Sequence, residues 1–530
     1  MSTFQAPHIE YATLLPILIV LSSATLGVLV EGFVPRPHRY LVQTALAFLG
    51  TLAALVATIV DFGDLNPIHG QPHPGRLVAV GVLAVDGPTL FCWLLILVIA
   101  LLSVLLFAER RLEGGVLSFA GQAAALPGTE AERQASTRGL EHTEIFPLMM
   151  FAVSGMLMFP ASNDLLMMFV ALEVLSLPLY LLCGLARRRR LLSQEAAMKY
   201  FLLGAFSSGF FVYGIALVYG YAGSMGFAQI AQAVGGRNSG QVLLLAGMGL
   251  LAVGLLFKIG AAPFHAWTPD VYQGAPTAVT AFMAAGTKVA AFGALLRLFY
   301  VAFGGARWQW TPMLWAVAIL TMVVGSVLAL SQSDIKRLLA YSSIAHAGFI
   351  LTGFLGARSL VDIGPGDIAP VQAVLFYLTT YALMTLAAFA IVTVVRDSGG
   401  EATHLSRWVG LGKESPLVAG LMAFLLLGMA GIPLTSGFTG KWAVFAAALS
   451  AGAWPIVVVA VLMSAVAAYF YVRVIVLMFF AEPVGEGPTV AVPSFMTSSV
   501  IGFGVAATLV FGIVPGPLLD MLGRIGGFVR

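Results

Sequence analysis

Long runs of apolar residues follow one another along almost the whole chain, separated by short polar connections. Read with a window of about 19 residues, this pattern predicts about fourteen helices, each able to cross a hydrocarbon layer of roughly 30 Å. A membrane barrel would instead need short strands of alternating polarity, and the runs here are continuous. The predicted spans lie near residues 11–32, 40–61, 84–107, 144–162, 163–184, 194–222, 241–265, 276–302, 311–331, 335–356, 370–395, 416–451, 454–480 and 496–519.

Composition supports an integral membrane protein. Of the 530 residues, 59% are hydrophobic and only 10% are charged, whereas about 25% are charged in an average soluble domain. The first predicted span is long and lacks a basic leader and a small-residue cleavage site, so we expect a retained helix rather than a signal peptide. Both cysteines, Cys92 and Cys183, fall in predicted spans; we interpret them as small apolar residues, not as a disulfide or metal site.

Basic residues distribute unevenly between the two predicted sides of the membrane. With the N-terminus outside, about 16 Lys and Arg face one side and about 6 the other, which by the positive-inside rule predicts both termini on the outer side. The run Arg187–Arg190 belongs to the inner set. We interpret it as a topology anchor, with recognition of lipid headgroups as the alternative.

The connections are too short to form a soluble domain. The longest polar insert, at about 109–143, is predicted to be a flexible cytoplasmic loop. No phosphate-binding loop, dinucleotide fingerprint, CxxC pair or HExxH helix occurs in the sequence. We therefore expect no metal site, no cofactor site and no nucleic-acid partner in this chain.

Two segments interrupt predicted spans in a similar way. LLFKIGAAPFHAWTPDVYQGAP breaks one span at Gly260 and Pro263, and LLLGMAGIPLTSGFTGKWAVF breaks another at Gly431 and Pro433. Proline leaves carbonyl groups without partners, which is tolerated in a membrane only against protein or a wet cavity. The breaks lie five predicted spans apart, so the segments around them are expected to be inverted repeats, an arrangement that often holds ions at the midplane. A dry kink is the alternative for either break alone.

Four charged residues lie within these spans: Glu173, Lys258, Lys288 and Lys441. A charge at the bilayer centre costs on the order of 3 kcal/mol, so each needs a partner, a cavity or a neutral state. Burial disfavours the charged form of both carboxyl and amino groups, which brings their proton affinities together and allows a row of them to pass protons. Lys258 could instead reach the interface, and a purely structural Glu–Lys pair also stays open.

Other polar residues could carry protons between these groups. Tyr341, Ser342, Ser343 and His346 lie within one predicted helix, with Ser342 and His346 four residues apart on one face. His265 lies at the edge of the first break, and imidazole exchanges protons near neutral pH. A structural role is the alternative for each histidine. Arg473 is expected to reach the interface; Asp270 and Asp334 are placed in turns and given no transport role.

In this order, the motifs resemble the antiporter-like membrane subunits of respiratory complex I, the proton-pumping NADH:quinone oxidoreductase of bacteria. The resemblance covers about the fourth to the thirteenth span, and FKIGAAPFHAWTPDVYQGAPT is its most specific part. The segments that carry it are ALEVLSLPLYLL, MKYFLLGAFSSGFFVYGIALVYG, FKIGAAPFHAWTPDVYQGAPT, SQSDIKRLLAYSSIAHAGF and GIPLTSGFTGKW. The insert at about 109–143 is longer than we expect in this family.

The resemblance implies an all-α polytopic fold of about 14 transmembrane helices with two inverted five-helix repeats, each containing a broken helix. Residues 1–143 would hold three N-terminal helices and the polar loop, 144–302 and 311–480 the two repeats, and 481–530 a last helix. By motif position, the family's proton-pathway glutamate and lysines match Glu173, Lys258, Lys288 and Lys441. His265 and His346 match histidines of the same motifs.

The resemblance also implies where the rest of the chemistry takes place. FMN, iron–sulfur clusters and the quinone site would belong to other subunits, and this chain would couple their reaction to proton translocation in a bacterial plasma membrane. Expected partners are neighbouring complex I membrane subunits, lipids and protons. A subunit of a cation/proton antiporter or membrane-bound hydrogenase, and a non-conducting membrane scaffold, are the alternatives.

Overall fold

The computed structural model describes residues 9–64, 75–122, 129–130, 134, 138, 140–236, 239–356, 368–397, 400–483 and 487–529. Within these residues the protein is a bundle of long apolar helices with very little sheet. Four of the basic residues used to predict topology, Arg133, Arg237, Arg358 and Arg530, lie outside the described part, as does much of the segment 123–139.

The helices are numbered in chain order. They are α1 (Leu15–Phe33), α2 (Arg36–Asp64), α3 (Gly87–Phe107), α4 (Ile145–Ala161), α5 (Leu165–Cys183), α6 (Arg190–Ala222), α7 (Phe227–Gly236), α8 (Gln241–Ile259), α9 (Trp267–Gly274), α10 (Thr277–Ala302), α11 (Arg307–Ala329), α12 (Ile335–Phe354), α13 (Pro370–Val394), α14 (Leu411–Glu414), α15 (Pro416–Ala430), α16 (Ser436–Ser450), α17 (Trp454–Phe480), α18 (Phe495–Ile513) and α19 (Gly516–Arg524). Helix α10 contains two π-helical turns, Met283–Thr287 and Leu298–Ala302.

Short antiparallel strands occur only in connections between the described helices. Strands β1 (Arg76–Val78) and β2 (Leu83–Val85) form a hairpin before α3. Strand β3 (Val395–Asp397) pairs with both β4 (Gly400–Glu401) and β5 (Thr489–Val490), which places the connection after α13 beside the one after α17.

The observed helices confirm the predicted fold class. Among the described residues, eleven helical segments are long and apolar enough to cross a membrane. The other three predicted spans correspond to the shorter apolar helix α4, to α12, and to the interrupted pair α15 and α16. The 18-residue windows of α10 and α13 are fully buried, so these two helices form the centre of the bundle.

Both predicted breaks are present and have the same local structure. Helix α8 ends at Gly260, whose φ is 77°, and α15 ends at Gly431, whose φ is 89°. At each end the next amide returns to a carbonyl five residues back, from Ala261 to Leu256 (2.9 Å) and from Ile432 to Leu427 (3.1 Å). This is the Schellman motif, which needs a left-handed residue and therefore favours glycine.

Several predicted boundaries and loops were wrong. The span predicted at 241–265 ends at Ile259, because Gly260 closes the helix, and the last predicted span ends at Ile513 rather than 519. Asp270 lies within α9 instead of a turn. Asp334 lies in the connection before α12 and caps its N-terminus by accepting from the amide of Lys336 at 2.9 Å.

The predicted flexible loop at about 109–143 is tied to the rest of the protein wherever the structure describes it. Glu141 accepts from Arg110 Nε at 2.9 Å and from the amide of Leu117 at 2.8 Å. Glu109 accepts from the Thr497 hydroxyl group at 2.6 Å, across to the start of α18. Buried carboxylates with several donors hold a segment in place because breaking one bond leaves a desolvated charge.

Candidate functional site

Lys258 lies in the last turn of α8, immediately before the first break. Its side chain is only 2% exposed, so it does not reach the surface as snorkelling would require. Its Nζ atom is 3.3 Å from the hydroxyl oxygen of Tyr200 and lies 5.3 Å and 5.8 Å from the ring centroids of Tyr200 and Tyr180. One hydroxyl group and two ring faces therefore surround this ammonium group.

Glu173 lies half-buried near the middle of α5. Its Oε1 atom accepts a hydrogen bond of 2.5 Å from the hydroxyl group of Ser208 on α6. No salt bridge joins Glu173 to a lysine among the described residues, so the structural Glu–Lys pair considered from the sequence does not form there. Exposed apolar side chains flank Glu173 on the same helix, including Leu166, Leu177 and Leu181.

Lys288 follows the first π-helical turn of the central helix α10 and is 2% exposed. Its Nζ atom donates to the backbone carbonyl of Ser343 on α12 and lies 5.1 Å from the ring centroid of Tyr381. Tyr381 in turn donates to the Ser343 hydroxyl group at 2.8 Å. π-Helical turns within α-helices often mark functional sites, because they displace the side chains that follow them.

His346 lies at the centre of a buried group of hydroxyl side chains. Its Nδ1 atom is 2.8 Å from the Tyr377 hydroxyl oxygen, and its Nε2 atom is 3.3 Å from that of Tyr471. The Tyr471 hydroxyl group also hydrogen-bonds with Ser342, so Ser342 and His346 share one partner, as their predicted common face requires. The imidazole ring packs on Tyr381 with centroids 5.2 Å apart.

Lys441 lies on α16, beyond the second break, and reaches back across it. Its Nζ atom donates to the carbonyls of Met429 (3.1 Å) and Ala430 (2.8 Å) and to the Ser464 hydroxyl group (2.7 Å). These carbonyls belong to the last turn of α15, where a helix leaves acceptors unpaired and where its dipole favours a cation. A Cβ atom on Gly431 would lie 3.2 Å from this Nζ atom.

The structure brings Lys288, Ser342, Ser343, His346 and Lys441 together. His346 lies between the two lysines: its ring contacts Tyr381, which Lys288 faces, and Phe349, which Lys441 faces. Two other predicted relay residues lie apart from this group. His265 is half-buried at the first break and its Nδ1 atom has no hydrogen-bond partner among the described residues; Tyr341 is half-buried and contributes none of these hydrogen bonds.

Aromatic residues connect Lys258 to the group around Lys288. No hydrogen-bonded chain of described side chains joins the two lysines directly. Instead, the Tyr200 ring stacks on Trp267 with centroids 4.5 Å apart, and Trp267 packs edge-on against Tyr272 at 6.3 Å. The Tyr272 side chain lies near Tyr381 and Ser343, which belong to the surroundings of Lys288. Tyr272 therefore lies between the two lysine environments.

The sequence interpretation missed most of the partners of these charged residues. Hydroxyl groups from distant helices complete the site: Tyr180, Tyr200, Tyr272, Tyr377, Tyr381, Ser464 and Tyr471. A tyrosine inside an apolar span gives no signal of its own, because tyrosine is common in buried positions as well as at membrane interfaces.

A buried ion pair was also missed. Arg297, on α10, is fully buried and donates to both carboxylate oxygens of Asp86 at 2.7 Å and to the carbonyl of Pro160 at 2.7 Å. The sequence did contain a signal for this pair, because Arg297 is a charged residue inside the predicted span 276–302. Because an arginine effectively never loses its proton, we assign this pair to holding α3, α4 and α10 together.

The remaining predicted residues have structural surroundings. Cys92 and Cys183 are buried and unpaired. Arg473 donates to the carbonyl of Leu330 at 2.7 Å, just beyond the end of α11. No cluster of His, Cys, Asp and Glu in the described ranges could hold a metal ion.

The side chains of the site are of types that can exchange protons. Lys258, Lys288 and Lys441 have hydroxyl, carbonyl and aromatic partners, all of which are uncharged, and none pairs with a carboxylate among the described residues. Amines, imidazole and hydroxyl groups can each donate or accept a proton in turn. A lysine without a fixed counter-ion can lose its proton without leaving a buried anion unpaired.

Comparison with known proteins places the chain in a family. A sequence profile described as "NADH:quinone oxidoreductase/Mrp antiporter, TM" matches residues 162–482, more than half of the chain. The matched region begins just before α5 and ends after α17, and it contains both helix breaks and all four charged residues. The chain belongs to this family of antiporter-like membrane subunits.

Individual relatives match over nearly the whole length. The chain is similar to a protein of Nocardioides sp. named "NADH-quinone oxidoreductase subunit N", with 65% identity over 99% of this chain and 100% of that protein. A protein of the same name from Acidothermus cellulolyticus is 58% identical over 99% of this chain and 98% of that protein.

Solved structures share the fold. A chain of respiratory complex I from Thermus thermophilus with bound aureothin has 35% sequence identity and a TM-score of 0.74, covering 97% of this chain and 100% of that chain. A chain of the Mrp complex from Dietzia sp. has a TM-score of 0.78 at 20% identity, covering 98% and 97%. The second likeness establishes the fold alone.

Proposed function

We propose that this chain is the antiporter-like subunit N of a bacterial NADH:quinone oxidoreductase and that it translocates protons across the membrane. Relatives with that name at 65% and 58% identity support the assignment to the complex. NADH oxidation and quinone reduction then take place in other subunits, which hold the FMN, the iron–sulfur clusters and the quinone. This chain is a translocase subunit without redox chemistry of its own.

The proposed route runs through Glu173, Lys258, Lys288 and Lys441. The observation that carries it is the position of His346, which hydrogen-bonds with two tyrosine hydroxyl groups between Lys288 and Lys441. A proton released by either lysine has hydroxyl and imidazole groups nearby, and among the described residues no buried carboxylate is positioned there to hold it permanently.

The proposed route uses both halves of the chain. The first repeat (144–302) supplies Glu173, Lys258 and Lys288, and the second (311–480) supplies His346 and Lys441. Residues 1–143 and 481–530 flank them. Proton-relay roles for His265 and Tyr341 stay predictions, because neither side chain takes part in the hydrogen bonds described around His346.

The surroundings of Glu173 support a partner subunit on the α5–α6 face. A half-buried carboxylate flanked by exposed apolar side chains would meet lipid near mid-membrane, which is costly for a charge. A neighbouring membrane subunit of the complex would cover it and could receive its proton. We also propose the bacterial plasma membrane as its location, in keeping with its bacterial relatives, and both termini on the outer side, which the distribution of Lys and Arg supports.

The test is proton pumping by the purified complex reconstituted in proteoliposomes. We expect Lys288→Ala and Glu173→Ala each to lower the pumping rate by at least about tenfold. A positioned proton donor can contribute more than this to the rate of a proton transfer. Lys413→Ala is the control, because this exposed lysine pairs with Glu482 away from the route. Full pumping by both test variants at unchanged assembly would leave only the scaffold role.

The antiporter alternative is distinguished by composition of the purified complex. Subunits that carry FMN and iron–sulfur clusters should co-purify with the chain in mild detergent. Co-purification with cation/proton antiporter subunits alone would support the alternative instead.

A further inference from the structure

A small polar cavity lies at the end of the bundle that carries the Arg187–Arg190 run. Its volume is about 50 Å³, enough for more than one water molecule. It is enclosed by the turn between α5 and α6, the connection between α9 and α10, the first turn of α12 and the β4 hairpin. The charged side chains that line it are Glu113, Arg187, Arg188, Arg189, Lys336 and Glu401.

The arginine run frames this cavity through contacts within the protein. Arg187 donates to the carbonyls of Leu117 and Leu140, at 2.8 and 2.7 Å. Arg188 pairs with Glu113 at 3.0 Å, and Arg189 donates to Thr403 at 2.7 Å. These side chains therefore join the segment after α3 to the segment after α13. Their guanidinium groups bind protein acceptors in the structure, which argues against headgroup recognition as their main role.

Lys336 forms the inner end of the cavity. It is 2% exposed, and its Nζ atom donates to the carbonyl of Ala275 at 2.7 Å. The carboxylate of Glu401, on the facing hairpin, accepts from Thr277 and makes no salt bridge with Lys336 among the described residues. The titratable or charged groups that act on Lys336 come from α6, the hairpin, the α12 cap and α5: Arg189, Glu401, Asp334 and Cys183. Lys336 is thus a buried amine beside a polar cavity, with an uncharged hydrogen-bond partner.

Polar residues of α12 and α9 also lie inward of Lys336, towards the proposed route, although no continuous hydrogen-bonded chain joins them among the described residues. Lys336 and Ser343 are seven residues apart on α12, which puts them on the same face about 10 Å apart. Ala275, the partner of Lys336, lies three residues after Tyr272, and the Tyr272 side chain lies near Ser343 and Tyr381. Lys288 donates to the carbonyl of the same serine.

We propose that Lys336 carries protons from this cavity, at the cytoplasmic mouth of the protein, inward through Tyr272 and Ser343 to Lys288. The inference rests on the proposed function and adds an entrance to it. Lys336 takes a proton from water in the cavity, and the Tyr272 and Ser343 hydroxyl groups pass one on to Lys288 when that amine is neutral. The carboxyl group of Glu401, beside the mouth, offsets part of the positive charge that Lys336 and the three arginines place there, which makes proton entry less unfavourable.

The first test compares lysine variants in the reconstituted complex. Lys336→Arg keeps the charge but cannot release a proton, and Lys336→Gln keeps a donor for Ala275 without an ammonium group. We expect both to lower proton pumping about tenfold, with quinone reduction falling in parallel and assembly unchanged. Lys413→Arg, at an exposed lysine on the same side, is the matched control.

The outcomes separate the two proposals. Normal pumping by Lys336→Gln, in a preparation where Lys288→Ala abolishes pumping, overturns the entrance and leaves the proposed function standing. Normal pumping by Lys336→Gln and also by Lys288→Ala contradicts the proposed function itself.

A second measurement separates proton entry from a structural role. Glu401→Gln can still accept a hydrogen bond from Thr277, so a structural role predicts an unchanged pH profile. The proposal predicts that, as the cytoplasmic pH rises, the pumping rate of this variant falls at a lower pH than that of the parent, because the mouth then carries more uncompensated positive charge and protons enter it less readily. An unchanged profile overturns the proposed role of the mouth.

Access to the cavity can be measured directly. Ser118→Cys places a thiol on its lining, and the two native cysteines are buried. In inverted membrane vesicles, a membrane-impermeant methanethiosulfonate reagent should label Ser118→Cys but not Ser239→Cys, an exposed position at the opposite end of the bundle. If Ser118→Cys is not labelled in inverted vesicles in which Ser239→Cys stays unlabelled as expected, the proposal that the cavity opens to the cytoplasm is wrong.

Discussion

The two helix breaks share a backbone structure but hold their lysines differently. Both end in a Schellman motif on a left-handed glycine, Gly260 or Gly431. Lys258 precedes its break and meets one hydroxyl group and two aromatic rings. Lys441 follows its break and binds two carbonyls of the preceding helix together with Ser464.

This difference indicates separate roles for the two lysines. Lys441 satisfies acceptors that the break itself creates, so it stabilises the interrupted helix as well as serving the proposed route. Among the described residues, Lys258 binds no backbone group of its break, and its one side-chain hydrogen bond is long. The same break can therefore be combined with a firmly anchored lysine or with a weakly held one.

The largest expected difference concerns stability. Lys441→Met leaves the carbonyls of Met429 and Ala430 without this donor, at a cost of about 1–3 kcal/mol for each buried acceptor. Lys258→Met removes one long hydrogen bond, to Tyr200, and the contacts of the amine with two tyrosine rings, so it should cost about 1 kcal/mol or less. Thermal dissociation of the purified complex, followed by the release of this subunit, should show the larger loss for Lys441→Met. Equal losses would contradict the proposed anchoring role.

Alanine at the two glycines sharpens the same comparison. Each substitution forces a side chain into the left-handed region at a cost of about 1–2 kcal/mol. Gly431→Ala also places Cβ 3.1 Å from Lys441 Cδ, whereas at Gly260 the nearest atom is the Thr268 hydroxyl oxygen at 2.9 Å. We expect both variants to be less stable, and Gly431→Ala to lose more pumping for the same loss of stability. Pumping measured at matched subunit content tests this, and equal pumping would argue against displacement of Lys441.

The sequence predicted the fold and both breaks because their signals are local. Apolar runs identify spans, and Gly260 with Pro263 and Gly431 with Pro433 mark the interruptions. Glu173, Lys288 and Lys441 were found because a charge within an apolar run is conspicuous. Tyr200, Tyr381 and Ser464 could not be found in the same way, because their role depends on which helices pack together, and no local pattern encodes that packing.

Variants that remove a hydroxyl group should differ less in their effects than the lysine variants do. The order is also reversed, because the larger effect is now expected beside Lys258. Tyr200→Phe removes the hydrogen-bond partner of Lys258, whereas Ser464→Ala leaves Lys441 with two carbonyls. We expect Tyr200→Phe to lower the pumping rate severalfold, in keeping with the loss of about 1 kcal/mol of stabilisation, and Ser464→Ala to change it less than twofold. If Ser464→Ala had the larger effect, Lys441 rather than Lys258 would be the weakly held lysine.

The smallest expected effect lies beside the first break, outside the membrane spans. Burial alone would raise the pKa of Asp270, but hydrogen bonds from Lys199 (2.7 Å) and Arg337 (2.6 Å) outweigh it and hold the pKa below its ordinary value. The resulting stability is present near neutral pH and is lost as pH falls through the lowered pKa. Because these side chains are partly exposed, Asp270→Asn should cost less than about 1 kcal/mol.

The pH dependence of thermal dissociation checks this last prediction. The difference between Asp270→Asn and the parent protein should begin to shrink below about pH 4, where the carboxyl group of the unfolded chain becomes neutral, and should vanish once the folded carboxyl group is protonated as well. A constant difference across that range would show that charge is not responsible. Glu482→Gln is a suitable control, because its pair with Lys413 is highly exposed.

The central claim is that the buried lysines carry protons. The measurement that tests it most directly is proton pumping by Lys258→Arg in proteoliposomes, with Lys413→Arg as the matched control. Arginine keeps the positive charge and can still donate to Tyr200, but it effectively never releases its proton. If Lys258 works by losing its proton, pumping falls sharply while the complex stays assembled. Unchanged pumping would contradict proton release at Lys258 and leave it as a fixed charge packed against two tyrosines.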